Sequence, residues 1–159
     1  MKRLYYICAQ PAIVYYAWQV EVMIHNFIKN EISPKYIHIV SAYTKDIPIE
    51  WLKLQDKFRE VKFFFYEDKR QTPVYTSSIR PHILKQHFKE HQYLTDAAIF
   101  YHDCDVILTK PVSWEQFLQD DVWYLSDTVS YIGANYIKSK KKESTKHLQY
   151  PRRKITNLR

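Results

Sequence analysis

Glycine is almost absent from this chain, since Gly133 is the one glycine among 159 residues. A G-x-G-x-x-G dinucleotide turn and a glycine-rich phosphate loop are therefore excluded, because each needs several glycines in a short segment. The two cysteines, Cys8 and Cys104, are too few for a disulfide framework and lack the spacing of a zinc site. No apolar run approaches the roughly 18 residues of a membrane span. We therefore expect a cytoplasmic, reduced protein.

Positive charge is concentrated in one part of the sequence. Residues 1–137 carry a net charge of −1, whereas residues 138–159 contain nine basic residues and one acidic residue. This contrast predicts a folded domain over 1–137 and a basic, flexible tail over 138–159. The folded part lacks the clustered Lys and Arg of a duplex-binding surface. The tail can bind phosphates non-specifically, so a nucleic-acid- or virion-associated binding module is one alternative function.

Short apolar runs alternate with segments of helical periodicity along the chain. The runs predict strands over 4–8, 36–40, 61–66, 97–101 and 122–125, and the periodicity predicts helices over 12–29, 48–58, 79–91, from Ser113 onward and over 131–137. Alternation of this kind predicts a three-layer α/β/α domain with a mainly parallel sheet. Ligands of such sheets bind at the carboxyl ends of the strands. The end of the fourth strand is therefore the first place to look for chemistry.

Two carboxylates, Asp103 and Asp105, follow the fourth predicted strand directly. In an extended chain, residues two apart project from the same face, so both side chains can reach one cation, while Cys104 points toward the core. Carboxylate oxygens shared with substrate phosphates suit Mg²⁺ or Mn²⁺. A solvated turn without a ligand is the alternative interpretation of the pair.

The sequence over residues 101–108, YHDCDVIL, resembles the D-x-D motif of GT-A-fold glycosyltransferases, the nucleotide-diphospho-sugar transferases. The order of strands and helices over residues 1 to about 137 is similar to the nucleotide-binding half of that family. Residues 78–84 look like the basic residue and helix that precede the motif. The resemblance implies a metal-dependent enzyme that transfers a sugar from a UDP- or GDP-sugar donor to an acceptor, which can be a glycan, a protein or a small molecule.

The resemblance also implies roles for individual residues. Asp103 and Asp105 would bind the Mn²⁺ or Mg²⁺ ion, with Asp103, Gln10 and Arg80 contacting the nucleotide sugar and Asp127 acting as the catalytic residue near the sugar or acceptor. Each of the last three has a plainer alternative: a turn residue for Gln10, a surface arginine for Arg80 and a helix N-cap for Asp127. His102 is interpreted as a core histidine rather than a ligand.

Two further expectations concern the activity. A phosphatase of the haloacid dehalogenase type also has a D-x-D motif after an apolar strand, but on its first strand and before Gly-Thr, whereas Val106 and Ile107 follow here. The segment after Asp105 is short for the acceptor half of a GT-A enzyme. We therefore expect donor binding to exceed sugar transfer, because transfer also requires a well-oriented acceptor.

Overall fold

The computed structural model describes residues 2–71, 76–119, 122–125, 133, 134 and 138. The chain divides into two compact units, Met1–Asp121 and Val122–Arg159. Asp127, the basic tail beyond Lys138 and nearly all of the predicted 131–137 helix lie outside the described residues, so these predictions, with the domain boundary after residue 137, stay predictions. Residues 122–125 are described and form no strand, in contrast to the expectation.

The described part of the first unit contains a four-stranded parallel sheet and three helices. The strands are β1 (Leu4–Pro11), β2 (Ile37–Tyr43), β3 (Lys62–Glu67) and β4 (Ala98–His102), and the helices are α1 (Val14–Lys29), α2 (Ile49–Lys57) and α3 (Ile79–Glu90). The predicted α/β class with a parallel sheet is confirmed. Over the ranges given above, no helix combines the length and the apolar character that crossing a membrane requires.

Helices cover both faces of the sheet. Alternate residues of β1 point to opposite faces, as the pleat of a strand requires. Cys8 packs with Phe27 of α1 and Trp51 of α2 on one face. Ile7 packs with Ile83 of α3 on the other face. Both apolar surfaces of the central strands are thus buried, which explains why these strands are nearly continuous apolar runs in the sequence.

Strand β1 is longer than the sequence predicts. Gln10 and Pro11 lie beyond the predicted end of the strand, but they pair with Ser41 and Ala42 of β2, and the following N–H, that of Ala12, donates to the Ala42 carbonyl at 2.6 Å. Gln10 therefore lies within β1 and not in a turn after it. Proline is tolerated at this end of the strand because the strand pairing there does not need its missing N–H.

The segment after β4 is less regular than predicted. The sequence predicts an extended chain over 106–108 and a helix from Ser113, but the described residues of this segment contain one short 3₁₀ turn, Trp114–Phe117.

The position of β4 in the sheet indicates where a ligand is expected to bind. In the sheet order β3-β2-β1-β4, the chain leaves β1 toward one side and β4 lies on the other. The carboxyl ends of β1 and β4 therefore flank the topological switch point, where α/β sheets bind ligands.

Candidate functional site

Three of the residues predicted to form a site lie close to this switch point. Cys8 and His102 are register partners on β1 and β4, so the chain segments that follow them emerge at the same edge of the sheet. Asp103 and Asp105 come directly after β4. Arg80 lies in the first turn of α3, and its Nη1 is 3.1 Å from Oδ1 of Asp103. We call Arg80, Asp103 and Asp105 the carboxyl-edge site.

The acidic pair is presented by a turn rather than by an extended strand. The N–H of Val106 donates to the carbonyl of Asp103 at 3.4 Å, so the chain bends immediately after β4. The expected alternation is nevertheless present, because Asp103 and Asp105 are exposed whereas Cys104 is buried. The Cys104 thiol donates to Oε1 of Gln19 on α1 at 3.3 Å. The predicted core position of Cys104 is confirmed, and this side chain holds the acidic turn (residues 103–106) against the domain.

The chain after the acidic turn is held by a side-chain amide of α1. The N–H of Leu108 donates to Oδ1 of Asn26 at 2.8 Å, and Nδ2 of Asn26 donates to the Leu108 carbonyl at 3.0 Å. Asn30 donates to the same carbonyl at 3.2 Å. These bonds connect residues about 80 positions apart in the sequence. In the local sequence pattern, Asn26 is an ordinary polar residue of a helix. Sequence reasoning therefore missed this bridge.

Replacing Asn26 should destabilise the domain. We expect Asn26→Ala to lower the free energy of unfolding by about 1–3 kcal/mol, because it leaves the partly buried N–H of Leu108 without its acceptor. Urea unfolding followed by circular dichroism measures the loss. Gln55→Ala, which removes an exposed amide side chain of α2, is the matched control and should change stability by less than about 0.5 kcal/mol. Equal effects of the two substitutions would contradict the bridging role.

A second arginine near the start of α3 has a structural role. Arg70 binds the carboxylate of Asp68 with two nitrogens, at 2.8 and 2.7 Å, and its Nη1 donates to the hydroxyl of Ser78 at 2.7 Å. The hydrogen bonds from Arg70 lower the pKa of the Asp68 carboxyl. No local pattern in the sequence indicates this bidentate pair. Arg80 differs, because its partner carboxylate on Asp103 is half exposed and such ion pairs contribute little to stability.

Gln10 is enclosed within the domain rather than presented at its surface. Its side chain is fully buried, and Nε2 donates to the Ser41 hydroxyl at 2.8 Å and to the Val40 carbonyl at 3.2 Å. Among the described residues, Oε1 has no hydrogen-bond partner, which is uncommon for a buried acceptor. The observed contacts of Gln10 connect β1 to β2, and its predicted contact with the nucleotide stays a prediction.

His102 is buried at the base of the acidic turn, as expected for a core histidine. Nδ1 lies 2.9 Å from the carbonyl of Asp103 and must donate to it, because a carbonyl oxygen only accepts. Burial lowers the pKa of His102 to about 4, although the hydrogen bond to Asp103 acts in the opposite direction. The ring is therefore neutral at pH 7. It fixes the backbone of Asp103 from within the domain.

The carboxylate oxygens of the acidic turn suit a hard divalent cation that is also bound by water or by phosphate oxygens. Asp105 is exposed and forms no ion pair with the described residues. Within that same part of the chain, no group of three or more His, Cys, Asp or Glu side chains is placed to hold a metal ion. Mg²⁺ and Mn²⁺ sites commonly use one or two carboxylates and complete the shell with water and substrate phosphates. Two carboxylates at a solvent-exposed edge suit that mode of binding.

Comparison with known proteins assigns no family to the chain. No protein-family model, no curated protein and no solved structure matches it. The resemblance to GT-A glycosyltransferases therefore rests on residues 101–108 and on the order of the elements. The features of the structure that bear on it are the parallel sheet and the carboxyl-edge site.

Proposed function

We propose that this protein is a metal-dependent glycosyltransferase of the GT-A type that binds a UDP- or GDP-sugar at the carboxyl-edge site. One observation carries the proposal: two exposed carboxylates, Asp103 and Asp105, follow the strand that flanks the switch point of a parallel sheet. Nucleotide ligands of open α/β sheets bind at this position. The buried Cys104 between the aspartates provides the packing contact of this turn, and the ion pair of Asp103 with Arg80 is half exposed.

The residues of the site have separate roles in this proposal. Asp103 and Asp105 would hold Mn²⁺ or Mg²⁺, and the ion supplies Lewis-acid stabilisation of the charge on the leaving diphosphate. Arg80 can exchange its half-exposed carboxylate partner for a phosphate oxygen, with which a guanidinium forms strong charge-assisted bonds. Asp127 remains the proposed catalytic residue on the basis of the family resemblance alone.

Diphosphate release from nucleotide sugars tests the proposal. Full-length protein with Mn²⁺ is incubated with a panel of UDP- and GDP-sugars, with and without a mixed pool of glycan, peptide and small-molecule acceptors. We expect release with at least one donor, and Asp105→Asn should slow it at least about 100-fold, because one of the two metal ligands is lost. Asp96→Asn, which replaces an exposed aspartate before β4 at the opposite edge, should leave the rate within about twofold of wild type.

The acceptor arm of this assay separates hydrolysis from transfer. Release without any stimulation by acceptors would match the expectation that donor binding exceeds transfer, whereas stimulated turnover of tens per second would contradict that expectation. Release that does not depend on the metal, or that survives in Asp105→Asn, would contradict the proposed function itself. Phosphate release from a simple monoester without cleavage of any nucleotide sugar would favour a phosphatase instead.

A further inference from the structure

The amino ends of the strands surround a second concave site, at the edge of the sheet opposite Asp103 and Asp105. It has a volume of about 380 Å³. Three of its lining residues are basic: Arg3 precedes β1, Lys35 lies in the turn before β2 and Lys62 begins β3. Parallel pairing brings these starting points together. We call this cavity the amino-edge pocket.

Among the described residues, the basic side chains of the amino-edge pocket have no acidic partner. No carboxylate is among its described lining residues, and within the described part of the chain Arg3, Lys35 and Lys62 form no ion pair. Three positive charges that face one cavity repel each other, so the arrangement favours an anion between them. Elsewhere in the domain, a carboxylate partners each of Lys57, Arg59 and Arg70.

Aromatic rings form the remaining walls of the amino-edge pocket. Tyr5, Tyr36, Phe64 and Tyr93 line it. Tyr5 makes an edge contact with Tyr36 at 5.6 Å between ring centroids and a tilted contact with Tyr93 at 5.7 Å. The Arg3 guanidinium carbon lies 5.3 Å and the Lys35 ammonium 5.0 Å from the centroid of the Tyr36 ring. Cation–π contacts at these distances hold the charged groups beside the pocket and leave their hydrogen-bond donors available.

One lining residue of the pocket, His38, belongs to a connected set of buried polar groups. His38 is almost completely buried, with Nδ1 at 3.1 Å from Nε2 of His87, and Nδ1 of His87 is 2.9 Å from the Tyr66 hydroxyl. Burial lowers the pKa of His38 to about 4, assisted by His91 and Lys62, so the ring is neutral at pH 7. This part of the lining is thus uncharged, and the positive charge of the pocket comes from Arg3, Lys35 and Lys62.

We propose that the amino-edge pocket binds a small aromatic anion, a planar ring that carries a phosphate, such as an aryl phosphate or a nucleoside monophosphate. The basic residues would hold the phosphate and the tyrosine and phenylalanine rings would pack against the planar group. The volume of about 380 Å³ lies at the small end of the range for ligand sites and can accommodate one such unit. The basic residues can contact the phosphate directly, so we expect binding in the absence of a divalent cation. This second site is separate from the proposed glycosyltransferase site.

A titration in EDTA with three probes tests this proposal. Phenyl phosphate, phenol and inorganic phosphate are added separately to ¹⁵N-labelled full-length protein, and amide shifts are followed by NMR. We expect saturable shifts at Tyr36 and Lys62, with phenyl phosphate binding at least about tenfold more tightly than phenol or phosphate alone. Lys62→Gln should weaken that binding about tenfold, because one charged hydrogen-bond donor is lost. Lys53→Gln, which replaces an exposed lysine of α2, is the matched control and should have no effect.

The variants and probes of this experiment distinguish binding in the amino-edge pocket from binding at another place on the domain. Asp105→Asn should leave phenyl phosphate binding unchanged, so failure of the glycosyltransferase proposal and failure of the pocket proposal are distinguishable. Equal affinities in Lys62→Gln and Lys53→Gln would overturn the pocket proposal, and so would inorganic phosphate binding as tightly as phenyl phosphate. Shifts at Tyr36 and Lys62 with single-stranded RNA, in the absence of shifts with phenyl phosphate, would also overturn it and assign the pocket to a polymer.

Discussion

Acidification from pH 6.5 to pH 4 should remove most of the folding stability of this domain. Three histidines, His38, His87 and His102, are at most 5% exposed, and burial lowers their pKa values to about 4, 3 and 4. When His38 is protonated, its charge lowers the pKa of His87 further, and His91 acts in the same direction on both. All three side chains are therefore neutral in the folded protein at pH 7.

The sign of the effect follows from proton linkage. In the unfolded chain these histidines titrate near 6.5, so below that pH the unfolded state binds more protons than the folded state. Stability is therefore complete above pH 6.5 and falls as the pH approaches the folded values near 4. Each lowered pKa corresponds to a loss of about 3–5 kcal/mol in the free energy of unfolding once the pH is below the pKa of the folded state. The three together reach the order of the entire stability of a typical domain, about 5–15 kcal/mol.

Urea unfolding at a series of pH values measures this dependence. The window from pH 6.5 to 5 isolates the histidines, because most carboxylates remain ionised there. His87→Gln should reduce the slope of stability against pH by about one third, since one of the three buried groups no longer titrates. His25→Gln, which replaces an exposed histidine of α1, should leave the slope unchanged. A wild-type stability that is flat between pH 6.5 and 5 would contradict the neutral buried state.

The sequence predicts β2, β3 and β4 well because each is a mainly apolar run that is visible in local composition. β2, β3 and β4 begin and end within about three residues of the predicted runs. The end of β1 is different, because Gln10 and Pro11 have the local composition of a turn and their strand conformation depends on pairing with β2. The short 3₁₀ turn at Trp114–Phe117 also differs from the local prediction. Apolar spacing predicts a helix there, but a stable helix also requires its apolar face to pack against the domain, and spacing alone does not provide that packing.

In the candidate site, too, some features follow from the local sequence and others depend on contacts between distant residues. The exposure of Asp103 and Asp105 around a buried Cys104 follows from alternation, and this much is predictable from the sequence. The turn that carries them is not predictable, since the chain that follows it depends on the Asn26 bridge from α1. The amino-edge pocket is also invisible in the sequence, because its residues come from separate segments that only the parallel register brings together.

Metal affinity should depend strongly on Asp105. This carboxylate is exposed and forms no ion pair with the described residues, whereas Asp103 also faces Arg80. Loss of residues that merely support a metal ligand typically lowers affinity about 10–100-fold, so loss of the proposed direct ligand in Asp105→Asn should lower it at least about 100-fold. Isothermal titration calorimetry with Mn²⁺ measures the loss, and an affinity within twofold of wild type would contradict the role of Asp105 as a ligand.

The substitution Arg80→Gln should change the affinities for Mn²⁺ and for UDP in opposite directions. It should tighten the binding of Mn²⁺ alone, because a competing cation is removed from Asp103. It should weaken the binding of UDP in the presence of Mn²⁺, because a phosphate partner is removed. The same calorimetric titrations measure both affinities, and a change of the same sign in both would contradict the proposed exchange of partners.

The most direct test of the carboxyl-edge site is the line broadening that paramagnetic Mn²⁺ causes in the amide spectrum of the ¹⁵N-labelled full-length protein with UDP. We predict saturable broadening at residues 103–106 and Arg80, with no change at Lys62 on the opposite edge, and loss of this pattern in Asp105→Asn but not in Asp96→Asn. Broadening that is centred elsewhere, or that is equal in the two variants, would contradict a metal and nucleotide site at Asp103 and Asp105.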